Sequence, residues 1–167
     1  ALNDQETGRN ILSANIGRRA MRESDLLAFK IGVRDSGVGA VMCAYNRING
    51  TYSCEDDDTL NVALKQDFGF KGFVLSDWGG THSTVKAAMS GLDIEMPGNT
   101  YFGDALLKAV QSGDVPMTRL NDMVHRVLRT EFAVGLFDNK PDKKVVDVFG
   151  GLEVARQVAE QGTVLLK

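Results

Sequence analysis

The sequence offers little for metal chemistry. It has two histidines and two cysteines, and Cys43 and Cys54 stand in no common zinc-ligand spacing. The run Glu55-Asp56-Asp57-Asp58 lacks the glycine and the distal glutamate of a calcium loop and reads as a solvated helix start. No metal and no cofactor are expected. Long apolar runs are also missing: none approaches the roughly 20 residues of a membrane span, so no membrane partner is expected. Excess positive charge is missing too. A net charge of -3 and a pI near 5.4 argue against nucleic acid as the main partner. GxGxxG and Walker spacings are absent, so Gly79-Gly80 is no phosphate loop. Ala1 is not an initiator methionine. The chain reads as a piece of something longer, and a missing targeting signal therefore says little.

What is present is ordinary for a soluble domain. Of the 167 residues, 43% are hydrophobic and 25% charged, enough for one core. Cys43 and Cys54 leave two readings open, a local disulfide or two buried thiols. Asn49-Gly50-Thr51 matches a glycosylation sequon, and Asn-Gly is also a turn signal because both residues tolerate positive φ. The turn is the stronger reading. Together these features lean toward a secreted or periplasmic protein, although no compartment is legible directly.

The segments alternate. Residues 15–33 have helical spacing through Ile16, Ala20, Leu27 and Ile31, and Gly37 and Gly39 end them. Residues 40–45 form a short apolar run of strand length. Residues 56–68 read as a helix with an acidic first turn. Phe73 to Asp77 is a second strand that turns abruptly polar. Residues 81–90 read as a helix, and 92–96 as a third strand closed by Pro97-Gly98. Residues 101–111 read as a helix. The best helix covers 118–134, with an N-cap at Thr118 and a face of Leu120, Val124, Val127, Leu128 and Phe132. The tail from Gly151 is helical, and 163–166 starts another apolar run.

Strands alternating with helices imply parallel βα units. Continuous apolar strands imply a sheet covered on both faces. An open doubly wound sheet and a (β/α)8 barrel both fit, and a closed barrel takes about 250 residues. Such folds place their sites at the carboxyl ends of strands. Asp77 stands at one of these ends, followed by Trp78-Gly79-Gly80. An indole face stacks on the C–H side of a pyranose, while a carboxylate meets its reactive carbon. A helix-capping aspartate beside a core tryptophan is the plainer alternative. Two carboxylates suffice for glycoside hydrolysis, and Asp93 and Glu95 share one face of the next strand. Both carboxylates also suit a structural role, bonding loop amides. His82 stands near the site rim, and His125 lies within the long helix.

Several stretches carry a family resemblance. Val41-Met42-Cys43-Ala44-Tyr45-Asn46-Arg47-Ile48-Asn49-Gly50 and Gly72-Phe73-Val74-Leu75-Ser76-Asp77-Trp78 resemble glycoside hydrolase family 3. So do Gly91-Leu92-Asp93-Ile94-Glu95-Met96-Pro97-Gly98, Arg126-Val127-Leu128-Arg129 and Gly135-Leu136-Phe137. The resemblance implies an incomplete (β/α)8 (TIM) barrel, roughly its C-terminal half, over residues 1–150. Additional C-terminal helices follow, with 151–167 a linker helix and the start of a second domain at Thr163-Val164-Leu165-Leu166-Lys167. It implies a β-glucosidase-like glycosidase that acts with retention on β-linked glucosides or related oligosaccharides. Asp77 would be the nucleophile, Trp78 would line the sugar site, Tyr45 would hydrogen-bond the nucleophile, and Met42 would touch the ring.

The resemblance also implies that the acid/base carboxylate comes from a second domain, which leaves Glu95 as that group only in a self-contained enzyme. The opening Ala1-Leu2-Asn3-Asp4-Gln5-Glu6-Thr7 resembles the stretch just after the family's sugar-gripping Lys-His pair. The N-acetylglucosaminidase branch fits poorly, since Ser76-Asp77-Trp78 does not resemble its motif. The alternative function is a non-catalytic sugar-binding or structural remnant, a homo-oligomer that covers open barrel edges by self-association.

Overall fold

The computed structural model describes residues 1–140, 142–143, 145 and 147–166. Its two units are Ala1–Gly135 and Leu136–Lys167.

In the first unit the chain opens with a short strand, β1 (Ser13–Ala14), then helices α1 (Arg18–Glu23) and α2 (Asp25–Ser36). A single helix was expected over 15–33, but Ser24 breaks it. Its φ,ψ of -114°, -91° are not helical, and its backbone N–H and its hydroxyl both return to the Ala20 carbonyl, at 2.9 and 2.7 Å. Serine competes with the helix ladder in this way. Gly37, in the left-handed region at φ 60°, closes α2.

The expected first apolar strand is β2 (Ala40–Cys43), which runs parallel to β5 (Phe73–Ser76), with Ala40 opposite Phe73 and Cys43 opposite Ser76. The two strands start close together: a Cβ on Gly72 would fall 2.0 Å from the Gly39 carbonyl oxygen. Their crossover holds the hairpin β3 (Arg47–Ile48) and β4 (Thr51–Tyr52), a 3₁₀ turn at Ser53–Glu55, and a π-helix at Asp58–Asp67. The hairpin turns on Asn49 and Gly50, both at positive φ (49° and 90°), as a primed two-residue turn requires. The Asn49 side chain is occupied. Its Oδ1 accepts from Ile16 N at 2.9 Å and its Nδ2 donates to Ile16 O at 3.0 Å, beside the parallel pairing of β1 with β3.

The third expected strand, 92–96, is reduced to one parallel bridge between Leu75 and Ile94. Ser76 N donates to Ile94 O at 2.9 Å. Beyond it Pro97 offers no N–H to extend a ladder, and the Ser76 hydroxyl takes over by accepting from Met96 N at 2.8 Å. Helices α3 (Val85–Met89), α4 (Asp104–Ser112) and α5 (Met117–Ala133) complete the unit. The expected N-cap at Thr118 is displaced. Pro116, fixed at φ -67°, is the cap residue, and its carbonyl accepts from Arg119 N and Leu120 N at 2.8 and 3.3 Å.

Cys43, Cys54, Leu60, Leu64, Phe70, Val74, Ala87 and Leu92 form the main core, and Ala88, Leu106, Ala109, Val115 and Met123 a second. The expected apolar face of α5 is divided: Met123 is buried and Leu120 packs against the second cluster, whereas Val124 and Phe132 are exposed. Arg126 joins α5 to the strand starts, donating to Phe70 O and Gly72 O at 3.1 and 3.0 Å.

In the second unit, helix α6 (Leu152–Gly162) has no buried residue. Residues 163–166, the apolar run expected to start a second domain, have no regular structure, and Lys167 lies outside the described residues.

Candidate active site

The site is built where β2 and β5 end. Ser76 is wholly buried. One residue on, Asp77 N still reaches the Cys43 carbonyl at 3.3 Å, so the sheet register aims the aspartate. The chain then turns back tightly. Gly80 N donates to Asp77 O at 2.8 Å, Gly79 N to Met96 O at 3.0 Å, and Gly79 takes φ 78°, a conformation that favours glycine. Trp78 N donates to Asp77 Oδ1 at 2.7 Å, which fixes the carboxylate's orientation.

Tyr45 comes from the turn after β2. Its hydroxyl hydrogen-bonds the Asp77 carboxylate, and that bond, followed by desolvation, holds the phenol above its ordinary ionisation range. Met42 is half exposed. Met42 and Asp77 line one cleft of about 570 Å³ together with Asn3, Ala44 and Val41. Trp78 is 55% exposed, which makes it a surface indole beside the carboxylate and excludes a core-filling role.

The strand end beneath the site is clamped. Cys43 and Cys54 form a disulfide with a Cα–Cα distance of 5.2 Å. Ala44 N donates to Ser53 Oγ at 3.1 Å, and Ser53 N to Asn46 O at 2.9 Å. Asn46, buried, donates through Nδ2 to Leu2 O and Arg47 O, both at 3.0 Å.

The Glu95 carboxylate is engaged by loop amides. Its Oε2 accepts from Tyr101 N and Phe102 N at 2.8 and 2.7 Å, and it borders a separate cleft of about 420 Å³ lined by Ile94, Leu120 and Val127. Asp93 is buried in an ion network. Its Oδ1 meets Lys65 Nζ at 2.9 Å and Arg119 Nη2 at 2.7 Å, and its Oδ2 accepts from Val74 N at 2.7 Å. Desolvation lowers Lys65 to about 8. His82 stacks on Tyr52 with ring centroids 3.6 Å apart, and burial lowers its ionisation range. His125 lies exposed on α5. Among the described residues no group of three or more His, Cys, Asp or Glu is placed to hold a metal, and no helix is long and apolar enough to cross a membrane.

The sequence reasoning missed Arg9. Its guanidinium carbon lies 4.6 Å from the Tyr45 ring centroid. No periodicity or spacing marks such a contact between a polar loop and a strand end.

The matched family model is the glycosyl hydrolase family 3 N-terminal domain, over residues 3–130. The probable beta-glucosidase L of Emericella nidulans is 42% identical over 99% of this chain and 25% of its own length. The solved beta-D-glucoside glucohydrolase of Trichoderma reesei superposes with a TM-score of 0.91 at 38% identity, covering 99% of this chain and 24% of that one. A beta-glucosidase from Streptomyces venezuelae, solved in complex with D-glucose, gives a TM-score of 0.89 at 35% identity over 99% of this chain and 23% of that one. The chain thus spans about a quarter of the length of these relatives. The α/β fold is that of a sector of a (β/α)8 barrel. The parallel β2–β5 pair, the Tyr45–Asp77 contact at its carboxyl end and this family match over most of the chain agree: the chain belongs to glycosyl hydrolase family 3.

Proposed function

We propose that the chain supplies the nucleophile of a retaining β-glucosidase, with Asp77 attacking the anomeric carbon of a β-linked glucoside. The observation that carries this reading is the Asp77 carboxylate itself. It is oriented by Trp78 N, hydrogen-bonded by Tyr45 and open to a cleft at the carboxyl ends of parallel strands. With Oδ1 engaged by Trp78 N, the other oxygen forms the bond to the anomeric carbon as the leaving oxygen departs and takes a proton. Water then releases the sugar from the glycosyl-enzyme. Trp78 offers an indole face to the ring and Met42 an apolar contact. Tyr45 donates to the carboxylate before attack and orients it.

Glu95 is not the acid/base in this reading, because its carboxylate serves the 101–102 amides. The proton donor comes from outside these residues. Residues 1–150 act as the C-terminal half of a barrel, although the first compact unit ends at Gly135, and 151–167 act as a linker helix and the start of a second domain.

The test is a glucoside whose leaving group needs no protonation, because general acid help is worth about 10²- to 10⁴-fold and is bypassed there. Asp77→Ala should abolish turnover, and a slow 2-fluoro-glucoside should add its sugar mass at Asp77. Unchanged turnover in Asp77→Ala refutes the assignment. A second reading has its own observation. The described β2 pairs only with β5 and carries an exposed Met42, which suits self-association by a non-catalytic chain. A sedimentation experiment showing a strict monomer removes that reading.

A further inference from the structure

We propose that Arg9 is a positioning residue of the Asp77 site: its guanidinium, laid over Tyr45, holds that ring where the hydroxyl meets the carboxylate. The catalytic consequence rests on Asp77 being the nucleophile, but the packing does not.

The backbone around Tyr45 is fixed on both sides, by the Cys43–Cys54 disulfide and Ala44 N before it and by buried Asn46 after it. These anchors set the Cα but not the side-chain torsion, and a half-buried tyrosine has other staggered rotamers available. Arg9 restricts that freedom. At 4.6 Å from the ring centroid its charge lies within cation–π range. Arg9 is itself held, with N donating to Glu6 O at 3.2 Å and Nη1 to Glu6 Oε2 at 2.7 Å.

The charged groups around the phenol are Asp77, Arg9 and Glu6; Asp77 and Glu6 raise its ionisation range and Arg9 lowers it. Arg9 therefore makes Tyr45 a stronger donor to the carboxylate while limiting the ring's motion. A planar guanidinium does both, whereas a lysine ammonium keeps the charge and loses the flat contact.

The measurement is the ultraviolet titration of Tyr45 in the 167-residue chain. A Tyr45→Phe chain identifies its signal against Tyr52 and Tyr101. Arg9→Ala should lower the Tyr45 ionisation constant about two- to fivefold, and Arg9→Lys should fall between. Arg9→Gln serves as a second neutral variant should Arg9→Ala fold poorly. A Tyr45 midpoint unmoved in both neutral variants overturns the proposal. Asp77→Asn keeps the two readings apart: it should bring the phenol back toward its ordinary range whether or not Asp77 is a nucleophile. A midpoint that responds to Arg9, in a chain whose Asp77→Ala variant still turns over glucoside, leaves the positioning role standing and removes the catalytic reading.

Discussion

Replacing Asp93 by asparagine should destabilise the first unit by about 3 kcal/mol, the lower end of the cost of breaking a buried ion pair, and leave the Asp77 chemistry intact per folded molecule. The Asp93 side chain is fully buried and meets two cations, Lys65 and Arg119, with side chains 6% and 11% exposed. Asparagine keeps the acceptor for Val74 N but removes the charge that holds both cations. Arg119 cannot shed its proton and would retain only its carbonyl partners Ala88 and Leu92 and the half-exposed Asp122. Lys65 can. Desolvation already brings it to about 8, and without Asp93 it falls further and goes neutral near physiological pH, which caps the penalty.

The same residue sets a pH signature. The folded state lowers Lys65 from 10.5 to about 8, so the unfolded chain binds more protons in that interval and stability rises with pH across it. Urea unfolding between those pH values should show this rise in the native chain. In Asp93→Asn the rise should begin at lower pH, while its upper end stays at the unfolded value of 10.5. The midpoint shift at neutral pH, read at constant m, gives the cost. A loss below about 1 kcal/mol, the worth of an exposed pair, would refute the claim that this network is buried and mutually dependent.

Two further outcomes follow from the site. Removing the Cys43–Cys54 bridge by reduction or by Cys54→Ser should cost about 2–4 kcal/mol, seen as a lower thermal midpoint, and should loosen Tyr45 so that its phenol titrates nearer the ordinary range. Glu95→Ala should leave an activated glucoside's turnover unchanged in the folded fraction but destabilise by about 1–3 kcal/mol, through the unpaired Tyr101 and Phe102 amides; a turnover collapse rescued by azide would instead make Glu95 the acid/base.

The strands β2 and β5 were legible because both are short apolar runs bounded by turn residues, and the Asn49–Gly50 hairpin because the backbone demands positive φ there. The break at Ser24 was not, since Leu27 and Ile31 continue the helical spacing straight across it. The third strand was overread: Leu92 and Ile94 carry strand chemistry, but Asp93 turns inward to two cations and Pro97 ends the pairing. Thr118 looked like a cap by residue type, while Pro116 took the position through its fixed torsion. For the site, the strand-end rule and the family resemblance pointed to Asp77, Tyr45 and Met42, and the structure brings these three together. Glu95 shares a strand face with Asp93 in the sequence, and that parity says nothing about which loop folds back onto it. Arg9 lies far from Tyr45 in sequence, and a ring-face contact leaves no periodic trace.

The two halves of the molecule's polar chemistry are coupled through β5. Asp93 Oδ2 accepts from Val74 N, and the same strand, after Ser76 takes its place against Ile94 and Met96, delivers Asp77. A carboxylate that must stay ionised and aimed gains from backbone constraint more than from burial, because burial alone would favour its neutral form. Asp77 is accordingly only half buried, and its direction is set by Cys43 O behind it and Trp78 N beside it. The buried carboxylate is Asp93, which carries no reaction and holds the strand. Charge is therefore desolvated where it stabilises the sheet, at a point where two cations offset it. It is left half open at Asp77, where the proposed reading has it meet a sugar. This division explains why the carboxylates of the 93–95 segment, which look like partners for Asp77 in the sequence, are spent on the scaffold. On the proposed reading of Asp77 as nucleophile, a group protonating the leaving oxygen approaches from the opposite side of the sugar.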